Sequence, residues 1–322
     1  MEILTEIAPS PSSAITFISE TLSFVPKLFK AIGEFFHNFQ TTLLKWAIEW
    51  LVGPQKAMTP PKEATFNNEL QRSTQAFLKS TSIRITNKPL GSGKAATAYE
   101  GMMNGKKVAI KMMNGTKEKF QIDEGEALAL TLPKQINAQK NIALILYDET
   151  TADYFYVDKN NMQAFQDRNY AIVATVATMR SGHLGDMPFK SAKEIKDVAT
   201  TAAQFLEKIH VQGILHRDFH FQNILFYPSK KTSQNKIKVH DFGLSKKYDA
   251  TGFSNKESEA YTYYQNEMFS LALLCDNLLA EHNFTQHKHT AGENFVEIQE
   301  KLQNGERLTP TQIVDLFFKD IE

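Results

Sequence analysis

The chain has 322 residues, 42% hydrophobic and 22% charged, and its 36 basic and 36 acidic side chains leave no formal net charge. That size holds one two-lobed domain or two ordinary ones, and the composition excludes a disordered chain. Balanced charge excludes a nucleic-acid binder that works by bulk electrostatics. The one cysteine, Cys275, excludes an internal disulfide framework and fits a reducing compartment such as the cytoplasm. It lies in an apolar helical run, so a buried thiol is expected, and no clustering of Cys and His marks a zinc site. The opening Met-Glu-Ile-Leu-Thr-Glu lacks the basic start of a secretory signal.

Residues 1–80 read as a helical extension and linker. Ile18, Leu22, Val25, Phe29, Ile32, Phe36, Phe39 and Leu43 recur at steps of three and four, a helix stripe with a break expected at Pro26 and an end at Gly53-Pro54. Lys27, Lys30, Glu34, Lys45 and Glu49 interrupt it, so it falls short of the roughly 18 uncharged apolar residues of a spanning helix. Three uses remain open for residues 14–52: packing on the rest of the chain or a second copy, lying in a membrane surface, or docking on a protein partner. Pro54, Pro60 and Pro61 mark a linker over 53–64, and a short helix is predicted over Phe66 to Leu78.

From Ser82 the pattern changes to strands. Ser82 to Lys88 leads into Leu90-Gly91-Ser92-Gly93-Lys94-Ala95-Ala96. A hairpin follows, Thr97 to Met103 and Lys107 to Met112, joined at Asn104-Gly105, whose residues tolerate the positive φ of a tight turn. Lys119 to Leu128 reads as a helix weakened by Gly125. Ile142 to Leu146 and Tyr170 to Thr175 complete a five-stranded antiparallel sheet, with 148–169 as a long hairpin connection. Beyond it, Glu194 to His210 is amphipathic, and Asn294 to Gln303 and Pro310 to Phe318 are predicted as the last helices.

Between those helices lie His216-Arg217-Asp218, Phe219, His220 and Asn223-Ile224-Leu225-Phe226, then Ile237, Val239 and Asp241-Phe242-Gly243. In that order and spacing, with Val108-Ala109-Ile110-Lys111 upstream, the motifs resemble those of protein kinases. The resemblance implies an α+β, bilobal fold over 81–322, with a small lobe over 81–175 and a mainly helical large lobe over 176–322. It implies ATP and Mg²⁺ as cofactors, Asp218 as the base toward the acceptor hydroxyl, and Asn223 and Asp241 as the metal ligands. Lys111 would meet the nucleotide phosphates, braced by a carboxylate for which Glu124 is chosen and Glu126 is the rival. Gly91, Ser92, Gly93 and Ala96 would line the phosphates, and Ala98, Ala109 and Leu225 the adenine. Val176 to Met179 would be the hinge between lobes, with Gly182-His183-Leu184 entering the large lobe. His216 would support the Asp241 turn, and Arg217 occupies the place where many kinases bind a phosphate on the activation segment.

Two departures bear on the substrate. His220 stands where Ser/Thr protein kinases usually carry lysine, as in the related aminoglycoside and choline phosphotransferases. No Ala-Pro-Glu follows Gly243, and Glu267 to Ala272 resembles the start of the central large-lobe helix, which shortens the activation segment. So compact a large lobe is similar to that of kinases delivered into host cells by some bacterial pathogens. The expectation is a Ser/Thr protein kinase acting on a protein substrate. A small-molecule kinase and a non-catalytic scaffold of the same fold are the alternatives.

Overall fold

The computed structural model describes residues 62–321 except 94, 117–118, 134, 167, 180–181, 183, 228–235 and 283. The stripe over 14–52, the prolines of the linker and His183 therefore lie outside the described residues. Helix α1 (Lys62–Ser80) opens the described chain, longer at both ends than the predicted helix. Leu70, Thr74 and Leu78 stand four apart on one face and are buried, so α1 is part of the small lobe rather than of a separate extension. Leu78 has no exposed surface. Leu78→Ala should therefore cost about 2–5 kcal/mol in a denaturant melt, the range for a large-to-small change in a closed core.

Strands β1 (Ile83–Ser92), β2 (Ala96–Met103), β3 (Lys106–Met113), β4 (Asn141–Asp148), β5 (Tyr154–Val157) and β6 (Tyr170–Thr178) form one antiparallel sheet in the order β1-β2-β3-β6-β4-β5. The sheet has six strands where five are predicted, because Tyr154–Val157 in the insert pairs along β4. Asn104 and Gly105 take φ of 50° and 73°, the turn that closes the β2–β3 hairpin. Side chains alternate between two cores. Val108, Ile110, Met112, Ala143 and Ile145 pack with Leu70 and Leu78 of α1. Met113, Leu144 and Leu146 pack on the other face with Ala127 and Leu130 of helix α2 (Gly125–Thr131). Lys111 has the parity of Met113, so the strand period of two turns its ammonium toward α2 and the cleft.

The large lobe is built on helices α3 (Ala192–His210), α4 (Glu259–Glu281), α5 (Lys288–Gln303) and α6 (Pro310–Phe317). Their apolar faces share one core, in which Phe205, Leu206, Met268, Leu271, Cys275 and Phe317 are buried. Ser258 caps α4 by accepting from the Tyr261 N–H, so this helix begins at Glu259, about two turns before the predicted Glu267. Thr309 and Gln312 form a reciprocal capping box at the start of α6. Strands β7 (Ile214–Leu215) and β10 (Lys246–Lys247) pair, as do β8 (Ile224–Tyr227) and β9 (Lys236–Val239). These two ribbons carry the loops of the candidate site. Among the described residues no helix is long and apolar enough to cross a membrane.

Candidate active site

The β8–β9 ribbon brings the two sequence motifs together. Its register pairs Ile224 with Val239, and the His240 N–H donates to the Asn223 carbonyl at 2.9 Å. Asn223 and Asp241 thus leave the same end of the ribbon. Below them His216 is fully buried against Phe205, Phe219 and Phe242. Burial lowers its pKa more than the neighbouring carboxylates raise it, which favours the neutral ring. Its Nε2–H then donates to the His240 carbonyl at 3.0 Å, and the Ser245 hydroxyl donates to the His216 carbonyl at 3.1 Å. His216 is a support of the turn, not a base.

Asp218 and Asn223 are hydrogen-bonded to each other. The Asn223 Nδ2 donates to Asp218 Oδ2 at 2.9 Å and to its carbonyl at 2.8 Å. His220 Nε2 lies 3.5 Å from Asp218 Oδ1 and 3.1 Å from Asn223 Nδ2. Burial pushes the Asp218 carboxyl up, but the hydrogen bond and charge of His220, with the Asn223 amide and the His216 ring, together hold it below its ordinary value. Asp218 is therefore ionised at neutral pH, as a proton acceptor must be. Arg217 and Asp241 both adopt left-handed backbone, φ 65° and 61°. Such conformations cost roughly 1–3 kcal/mol each and persist only where surroundings enforce them.

Across the cleft, Lys111 Nζ donates to Asp241 Oδ1 at 2.5 Å and to Glu126 Oε1 at 2.8 Å. Burial would lower the lysine pKa, yet the two carboxylates overcome it and hold it above the usual range. Burial likewise would raise Asp241, and the Lys111 charge holds it down. Glu126 is 3% exposed, and its second oxygen takes the Asn141 amide at 2.9 Å.

The choice of Glu124 is corrected by this geometry. The helix predicted from Lys119 begins only at Gly125, with Glu124 as an extended N-cap residue. Glu124 pairs instead with Lys246 at 3.1 Å, beside a backbone bond from the Gly125 N–H to the Ser245 carbonyl at 2.7 Å. The late helix start moves the inward position by two residues. If the chain transfers phosphoryl groups as the resemblance implies, Glu126→Gln should weaken that transfer by tenfold or more, about the worth of a buried charged hydrogen bond. Glu124→Gln, at a partly exposed pair worth about 0–1 kcal/mol, should change rate and melting temperature little. Steady-state kinetics on both variants separates them.

The glycine loop shows why two small residues stand there. A Cβ on Gly91 would meet nothing, and on Gly93 only the Ala96 carbonyl at 3.8 Å, whereas at Gly101 it would collide with the Ile110 side chain. Gly101 is thus required by packing and the other two are not. Bare backbone facing open space suits close approach of phosphate oxygens. Within the loop the Gly93 N–H donates to the Ala96 carbonyl at 2.8 Å, and the Ser92 and Thr97 hydroxyls meet at 3.0 Å. Ala96 is buried on the α2 side, so its side chain serves the core. Ala98, Ala109 and Leu225 are half-buried and belong to none of the three buried cores.

Among the described residues no three His, Cys, Asp or Glu side chains gather as a metal centre. Asp241 and Asn223 together offer one carboxylate and one amide oxygen, the sparse all-oxygen set on which Mg²⁺ is held when substrate phosphates complete its shell. The residues fit that ion. Asn141, His210 and Glu267 are supports the sequence reading does not single out. Their signal is a polar residue at an apolar position of a strand or helix.

A six-stranded lobe with a braced lysine, set over a helical lobe whose two strained turns carry Asp218 and Asp241, defines the protein-kinase-like class of bilobal folds. The sequence profile of the protein kinase domain matches residues 85–313, and the chain belongs to that family. It is 29% identical over 160 residues to a probable serine/threonine-protein kinase, fhkB, of Dictyostelium discoideum, covering 49% of this chain and 13% of that protein. It is 30% identical over 185 residues to a light-sensor protein kinase of Ceratodon purpureus, covering 54% of this chain and 13% of that one. Against calcium/calmodulin-dependent protein kinase type 1 of Macrobrachium nipponense the identity is 33% over 93 residues, 28% of this chain and 26% of the relative. The matches thus span 13 to 26% of these relatives' lengths.

Proposed function

We propose that this chain is an ATP- and Mg²⁺-dependent protein kinase that phosphorylates Ser or Thr on a protein substrate. The observation that carries the reading is the lysine of β3 bonded to carboxylates from α2 and from the Asp241 turn, with the Asp218–Asn223 pair alongside. In this reading Asp218 orients the acceptor hydroxyl and accepts its proton. Lys111 stays a cation and, with the bare backbone at Gly91 and Gly93, neutralises and seats the phosphates. Asp241 and Asn223 would hold Mg²⁺, which when bound draws charge from the transferring phosphoryl group. Glu126, held by the Asn141 amide, shares Lys111 with Asp241.

His220 favours a second reading, a small-molecule kinase, because it stands where Ser/Thr protein kinases usually carry lysine, with its imidazole beside Asp218 and Asn223. Incubating the purified chain with radiolabelled ATP, alone, with protein acceptors and with aminoglycosides or choline, separates the two. Label on protein that is lost in Asp218→Ala supports the protein kinase. Label only on the small molecules supports the other reading. No transfer together with no thermal shift by Mg²⁺-ATP leaves a scaffold.

A further inference from the structure

We infer that Tyr263 of α4, with Glu259 behind it, is a built-in partner for Arg217 that positions the catalytic loop in the unmodified chain. The inference rests on the reading of Asp218 as the base, since Arg217 is the residue before it. Glu259, Tyr263 and Glu267 stand four apart on α4, so they form one row along the helix. The row follows Arg217 from backbone to tip. Glu267 Oε1 accepts the Arg217 N–H at 2.5 Å. The Arg217 guanidinium lies 4.0 Å over the Tyr263 ring, and its Nη2 donates to the Tyr263 hydroxyl at 2.8 Å. Glu259 Oε1 stands last, 3.9 Å from the same Nη2.

Arg217 needs such a hold. Its φ of 65° is strained for a side chain with a Cβ, and strain of this kind relaxes unless neighbours over-determine it. Glu267 fixes one end, and is itself fixed in the core by His210 Nε2 at 2.6 Å. A strained residue pinned only at its N–H could still swing its side chain and carry Asp218 with it. Tyr263 removes that freedom, by stacking under a planar cation and by accepting one of its hydrogen bonds. Glu259 is exposed and at the limit of an ion pair, so it adds little beyond sign. Arg217 is thus engaged by groups the chain carries itself, and no phosphate between Gly243 and Ser258 is required to order the loop.

The test combines hydrogen exchange over residues 214–223 with steady-state kinetics on the full chain. Tyr263→Ala should speed exchange there about tenfold and lower kcat about tenfold, while KM for ATP moves less than about threefold, the pattern of a lost transition-state position rather than lost binding. Tyr263→Phe, which keeps the ring, should restore most of the protection. Arg217→Lys, which keeps the charge but neither stacks nor forks, should match Tyr263→Ala, and it decides the matter if Tyr263→Ala does not fold. Wild type treated with phosphatase, and free of phosphate by intact mass, should keep its protection and its kcat. Unchanged exchange in both Tyr263→Ala and Arg217→Lys, or loss of protection on phosphatase treatment, overturns the inference. Should the wild type transfer phosphate to no acceptor, the kinase reading falls while the exchange data still decide the clamp.

Discussion

Asp218→Asn is expected to lower kcat by about 10²- to 10⁴-fold, the range a positioned general base supplies. The variant should fold, because the side chain is close in shape and faces the cleft, where its main partner is the Asn223 amide at 2.9 Å. The same residue sets the acid limb of the pH profile. Asp218 must be ionised to accept a proton, and its pKa in the folded chain lies below the ordinary value. The acid limb should therefore lie at lower pH than an unshifted carboxylate would give. His220→Ala removes one hydrogen bond and one charge that lower the Asp218 pKa, so the limb should move to higher pH. A limb that stays in place in His220→Ala would contradict that account.

Lys111→Met should have the second large effect, and it should appear in stability as well as turnover. Without the ammonium, Glu126 and Asp241 face each other with no cation between them. Breaking a fully buried pair costs about 3–5 kcal/mol, and the partial exposure of Lys111 and Asp241 reduces the expected loss to about 1–3 kcal/mol. Adding Glu126→Gln should recover part of it in a double-mutant cycle. The pH dependence has a definite sign. In wild type the depressed Asp241 contributes stability above its unfolded value, lost as pH falls through the folded one. In Lys111→Met burial acts on Asp241 without the lysine, its pKa rises, and protonation on acidification becomes stabilising. The gap between the two proteins should narrow from about pH 7 toward pH 4 in thermal melts. A constant gap would show that Lys111 does not hold these carboxylates.

What could be read from the sequence was what local pattern decides. Asn104-Gly105 fixed a hairpin because two positive φ angles are affordable to few residue pairs, and alternation along Val108-Ala109-Ile110-Lys111 sent the lysine to one face. The site residues after Leu215 were legible because two short ribbons, whose apolar residues Ile214, Leu215, Ile224, Ile237 and Val239 anchor them in the large-lobe core, position them. Glu126 was not distinguishable from Glu124 by pattern. Where α2 begins is set by pairing of residues 123–125 with 245–247, a contact between segments far apart in the chain. β5 was hidden for a similar reason, since Tyr154–Val157 becomes a strand by adding to the open edge of β4. The start of α4 did carry a signal, Ser258 followed by Glu259 as cap and first-turn acid, which the stronger apolar run after Glu267 obscured.

In the proposed reading a lysine, a base and two metal ligands serve one bound triphosphate. Calorimetric titration of the chain with a non-hydrolysable ATP analogue, with and without Mg²⁺, measures this directly in wild type and in Asp241→Asn. Binding that Mg²⁺ tightens in wild type, with that tightening lost in Asp241→Asn, is the predicted result. Binding that is absent, or equally strong with and without Mg²⁺ in the wild type, would contradict it.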